Sequence, residues 1–179
     1  MIGAIIGDTV GAIYEFDNIK TKNFDWVNNE TAPTDDSILT ITTADWILRG
    51  GEARRYYAAY AKIYDCPKGD YGEKFSDYVA RVYATEKSEP FNSCGNVSAM
   101  RISPVGWAFD TKEEVLAKAK GSAECTHNHP EGIKGAQATA LAIFTIRKGA
   151  KNDKIKVTIE NDFGHNLNFT LDKLRPEYS

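Results

Sequence analysis

The sequence predicts an all-α fold on three observations. Apolar residues recur at helical spacing in the N-terminal segment, polar capping pairs precede apolar runs further on, and a long Ala-rich stretch ends at a glycine. Ile2, Ile5, Ile6, Val10 and Ile13 place a first helix over residues 2–14. A loop rich in Asn, Asp and Lys follows over residues 16–33. A second helix opens at Asp35 or Asp36, carries Ile38, Leu39, Trp46 and Leu48, and stops at Gly50-Gly51. Its threonines are poor helix formers, so packing must hold it.

Residues 52–64, dense in Tyr and Ala, form a third helix. Asp70-x-x-Glu73 reads as a capping box ahead of Phe75, Tyr78, Val79 and Val82, and Thr111-x-x-Glu114 as a second one before Val115 and Leu116. Pro130 suits the first position of a helix over residues 131–148 that Gly149 terminates. That helix is apolar on most sides, which predicts a central position. Residues 154–163 suit a shorter helix ended by Gly164, although Ile155, Val157, Thr158 and Ile159 also suit a strand.

The 179 residues are 42% hydrophobic and 26% charged, enough for one domain over residues 1–179 with a real core. A net charge of −3 supplies no basic field for a nucleic-acid backbone. No apolar run reaches the roughly 20 residues that span a bilayer, so no membrane partner is expected. Three cysteines, Cys66, Cys94 and Cys125, with no CxxC pair, fit a reducing cytoplasm.

Four segments carry candidate chemistry. In Gly7-Asp8-x-x-Gly11-x-x-x-Glu15 the two carboxylates fall on one helix face, as they would at a site, while the glycines also suit close helix packing. Thr34-Asp35-Asp36-Ser37 reads as a helix N-cap, or as a hard-cation site built on adjacent carboxylates and a hydroxyl. Gly95-Asn96-Val97-Ser98-Ala99-Met100 is a small-residue turn of the kind whose backbone N–H groups approach an anion. Cys125, His127 and His129 tempt a zinc reading, but no fourth ligand stands at zinc-like spacing. A histidine satisfied at a helix entry and one lining a nucleotide pocket both remain open.

Quoted in order, the segments are GAIIGDTVGAIYEF, TDDS, GNVSAMRISPVG and THNHPEGIKGAQA. Together they resemble the ADP-ribosylglycohydrolase family, which includes the dinitrogenase-reductase-activating hydrolases and the crystallin J1-like proteins. The resemblance runs from Met1 to about Pro176 and implies a compact orthogonal helical bundle. It gives Glu15 the place of the glutamate near the scissile ribose, and Thr34, Asp35 and Asp36 that of N-terminal Mg²⁺ ligands. Gly95, Asn96, Ser98 and Met100 resemble the loop around the diphosphate and proximal ribose, and His127 the pocket histidine.

The family's last segment carries a Gly-Asp-x-Asp-Thr type motif with further metal ligands. Here Asp153, Asp162 and Asp172 stand singly, and the expectation is a domain lacking the last helices, with Mg²⁺ weakly bound or absent. The expected function is binding of ADP-ribose or a derivative, cyclic signalling forms included, that sequesters or senses it without efficient catalysis. The alternative is a Mg²⁺-dependent glycohydrolase that removes ADP-ribose from a protein or small molecule. A homo-oligomer is expected, with Phe163, Leu167, Phe169 and Leu171 as its exposed candidates.

Overall fold

The computed structural model describes residues 1–64, 66, 71–86 and 89–176, and no strand occurs among them. Helix α1 (Ile2–Gly11) tightens into a 3₁₀ turn at Ala12–Tyr14, so the expected first helix ends in two forms. Then come α2 (Asp35–Arg49), α3 (Ala53–Ile63), α4 (Glu73–Thr85), α5 (Val97–Met100), α6 (Ser103–Ala108), α7 (Lys112–Glu124), α8 (Pro130–Arg147), α9 (Asn152–Phe163) and α10 (Leu171–Leu174).

Local chemistry sets most of the borders. Thr111 and Glu114 form both halves of a capping box at the start of α7. Pro130 occupies the first position of α8, where its missing N–H costs nothing, and the Nδ1 of His129 accepts the Glu131 N–H at 3.1 Å. The strand alternative for residues 154–163 does not hold. Gly164 sits at φ 69 and closes α9 with its N–H on the Glu160 carbonyl, a left-handed cap that glycine adopts without strain. The capping box expected at Asp70 lies outside the described residues, and the α4 N-cap is Gly72, which has no side chain to offer.

Three apolar clusters make the core. Leu39, Trp46, Tyr57, Phe75 and Tyr78 join α2, α3 and α4. Val105, Val115, Ala119, Ala136 and Ala140 join α6, α7 and α8, and Leu141 with Ile159 seats α9. The α8 helix packs against α5, α6, α7 and α9, the central place its composition predicts. Its buried alanines are small enough for several neighbours to approach at once.

Ile2 and Ile6, whose spacing helps place the first helix, are 70% and 53% exposed, because α1 packs on α2 and leaves its other side to solvent. One expectation about exposure is corrected. Phe163 and Leu167 are expected outside, yet they pack against the Ala138–Leu141–Ile159 cluster, while Phe169 and Leu171 are exposed.

Candidate functional site

The start of α2 is a crowded acidic corner. Asp8, from α1, accepts the Thr34 N–H at 2.9 Å, the Ser37 N–H at 3.2 Å and the hydroxyl of Ser37, while its other oxygen accepts the Thr34 hydroxyl at 2.6 Å. Thr34 is itself the N-cap, accepting the Asp36 N–H at 3.2 Å. The capping reading of this segment therefore holds, and the Thr34 hydroxyl and both Asp8 oxygens are engaged in it.

Asp35 and Asp36 complete the first turn, where the helix dipole favours negative charge. Their carboxyls are nevertheless pushed up to about 6. Burial is the main cause. The negative charges of Glu15 and Asp8 add to it for Asp35, and those of Asp35, Asp8 and Glu15 for Asp36. Glu15 follows the 3₁₀ turn and is exposed. Among the described residues no three Asp, Glu, His or Cys side chains are arranged to hold a metal ion as they stand. The carboxylates are near enough to repel one another, while Asp8 is turned onto the α2 cap.

A second polar group lies where α5, α7 and α8 meet. The chain before α5 is tied to the turn before α8: the Phe91 N–H donates to the Thr126 carbonyl at 3.1 Å, and the Asn92 N–H to the Asn128 side chain at 2.8 Å. The Phe91 ring meets that of His127 edge-on at 5.2 Å. His127 is 2% exposed, and its Nδ1 lies 2.9 Å from the Thr126 hydroxyl. Burial, and then the charge of Arg101, hold its imidazole down at about 4, so it is neutral at pH 7.

Gly132 makes this junction possible. A Cβ there would stand 2.7 Å from the Ser93 carbonyl oxygen and 3.0 Å from that of His127. Only a residue without a side chain lets α8 begin this close to both segments.

The two groups meet across a cleft of about 260 Å³ lined by Asp35, Phe91, Ser93, Val97, His127 and the start of α4. Of the expected residues, Asp35 and His127 line it directly. Asp36 and Glu15 stand in the acidic field at its edge, through their effect on Asp35 and on one another. Gly95 is exposed, and a Cβ on it would be 3.9 Å from the His127 Nε2. Asn96 is exposed, and its carbonyl accepts the first N–H bonds of α5. Ser98 is buried with its hydroxyl on the Gly132 carbonyl at 2.8 Å, and Met100 is half-buried.

Phe91, Ser93 and Arg101 are absent from the sequence-based site. The first two carry no motif. Arg101 stands between Met100 and Ile102, and its complete burial is seen only in the structure.

A family model described as ADP-ribosylglycohydrolase matches residues 1–175. A protein named ADP-ribosylhydrolase ARH3 from Xenopus tropicalis is 24% identical over 179 residues, covering 83% of this chain and 49% of its own length. Its namesake from Gallus gallus is 24% identical over 184 residues, with the same two shares. The chain spans about half the length of the curated relatives it matches.

Proposed function

We propose that this chain, which belongs to the ADP-ribosylglycohydrolase family, binds ADP-ribose or a nucleotide derived from it in the cleft between α2 and His127. One observation supports the reading best: Asp35 and His127, from distant parts of the sequence, line the same cleft with Phe91 and Ser93. An aromatic edge, a neutral imidazole and a small-residue loop are groups that receive a ribose and its phosphates, and the acidic corner stands beside them. In this reading the chain holds the nucleotide, sequestering or sensing it, and the 179 residues by themselves catalyse its hydrolysis poorly.

A divalent cation such as Mg²⁺ fits the donor chemistry of the corner. Asp35 and Asp36 are hard oxygen donors whose repulsion a cation would relieve. Bound there, it would polarise a ribose oxygen. Thr34 is a weaker candidate ligand, because its hydroxyl is already shared between Asp8 and the Asp36 N–H.

The second reading is Mg²⁺-dependent glycohydrolysis, favoured by the relatives' name, ADP-ribosylhydrolase, and by the clustered carboxylates. Glu15, exposed beside them, would then exchange protons with the departing group or with water. A cytoplasmic location belongs to this proposal, as does a homo-oligomer formed through exposed residues such as Phe169 and Leu171. No helix among the described residues is long and apolar enough to cross a membrane.

Thermal unfolding with ADP-ribose, with and without Mg²⁺, tests both readings. Ligand at 100 times its Kd stabilises a one-site binder by about 2.7 kcal/mol. Stabilisation indifferent to metal supports the binder. Stabilisation that requires Mg²⁺, together with release of ADP-ribose from ADP-ribosylated arginine or serine peptides, supports the hydrolase. No stabilisation in either condition overturns both.

A further inference from the structure

Arg101 is fully buried, with its guanidinium 3.9 Å over the ring centre of Tyr57. Its Nη2 donates to the Ser122 carbonyl at 2.6 Å and to the Thr126 hydroxyl at 2.9 Å. Its Nε and Nη1 make no hydrogen bond among the described residues. All of its acceptors are neutral. A cation buried this way is costly to keep, and the aromatic face offsets a part of that cost.

The contact with Thr126 carries a further consequence. A guanidinium can only donate, so it occupies a lone pair of the threonine oxygen. The single hydrogen of that hydroxyl then has two nearby takers, His127 Nδ1 at 2.9 Å and the Cys125 sulfur. A thiol sulfur accepts weakly, and that of Cys125 already donates to the Ser122 carbonyl at 3.2 Å. With the hydrogen on Nδ1, the imidazole's own proton must sit on Nε2, the ring nitrogen beside Gly95.

We propose that Arg101 is a positioning residue: through the Thr126 hydroxyl it fixes His127 in the neutral form protonated on Nε2, presenting a hydrogen-bond donor at the Gly95 side of the cleft. The occupant suited to that donor is a phosphate or ribose oxygen. This consequence rests on reading the cleft as a nucleotide site, whereas the relay itself rests on the geometry alone.

The protein has three histidines, so long-range ¹H–¹⁵N correlation spectra at pH 7 resolve their tautomers, with His127→Gln identifying the signal. The wild type is expected to show neutral His127 with Nε2 protonated. Thr126→Val keeps the side-chain shape, deletes the hydroxyl and should move His127 to a mixture of tautomers or to the Nδ1-protonated form. Thr126→Ser should restore the wild-type signal. ADP-ribose titrated into the same samples should bind about fivefold or more weakly to Thr126→Val and within about twofold of wild type to Thr126→Ser.

A wild-type His127 protonated on Nδ1, a Thr126→Val spectrum that keeps the wild-type tautomer, or equal affinity in wild type and Thr126→Val overturns the proposal. If the tautomers respond as expected and ADP-ribose binds to none of the proteins, the relay stands and the nucleotide reading fails.

Discussion

The acidic corner at the start of α2 and the buried junction around Arg101 are mirror problems. In the corner, burial and then the surrounding negative charges act on Asp35 and Asp36, and the carboxyls respond by holding protons up to about pH 6. In the junction, a lone cation is surrounded by neutral oxygens and an aromatic face, and the neighbouring imidazole, lowered by burial and then by that cation, stays neutral down to about pH 4. The corner is half-buried and can be relieved from outside by protons or a cation. The junction is sealed, and its charge is met by dipoles that the fold fixes in place. Such a pairing gives the cleft a charged, adaptable wall opposite a neutral, rigid one, which suits an anionic ligand that also needs a metal or a proton nearby.

The largest expected effect breaks the rigid wall. Gly132→Ala puts a methyl group 2.7 Å from the Ser93 carbonyl, against backbone that has no freedom to swing aside. It should cost about 2–3 kcal/mol in urea unfolding and disturb His127 more than the α2 cap.

Acid separates the two walls. The folded-state value of His127 lies below its ordinary 6.5, so its contribution to stability is complete above pH 6.5 and is lost as pH falls through about 4. The folded values of Asp35 and Asp36 lie above their ordinary 3.8, so their contribution has the opposite sense, complete below 3.8 and lost as pH rises through about 6. The effects oppose each other between pH 4 and 6. His127→Gln should therefore unmask a stability that rises on acidification, differing from wild type by up to about 2–3 kcal/mol across the window. Unfolding midpoints at half-unit pH steps would show it, and parallel curves for the two proteins would refute it.

Asp36→Asn should stabilise the protein by about 1 kcal/mol at pH 8, a gain that vanishes by pH 4, and should abolish any stabilisation by Mg²⁺. Thr111→Ala, remote from both walls, should cost about 1 kcal/mol through the lost capping box and leave the pH profile unchanged.

Much of this architecture is legible in the sequence wherever the cause is local. The α7 capping box, Pro130 at the start of α8 and Gly164 at the end of α9 are set by residues within a turn of one another. The candidate site is legible only as a list. That Asp8 caps a helix start 26 residues away depends on how α1 docks, and no spacing rule supplies it. Arg101 stays hidden as a positioning group because its partners, Tyr57, Ser122 and Thr126, come from two other elements and a loop. The exposure of Ile2 and Ile6 is not legible for a related reason, since periodicity gives a helix an apolar face without saying how much of it a neighbour covers.

The seating of α1 has a consequence for local unfolding. No residue of this helix is fully buried, and Asp8 fastens it to the α2 cap through four hydrogen bonds. An excursion that lifts α1 away need not open the core, and belongs to the low-energy class of openings that hydrogen exchange detects well before global unfolding. It would carry off Asp8 and Glu15 together, thinning the negative field at Asp35 and Asp36 while the His127 side stays in place. The amides of α1 should accordingly exchange ahead of those of α8, and the strength of the acidic corner is set by how often the first helix is docked.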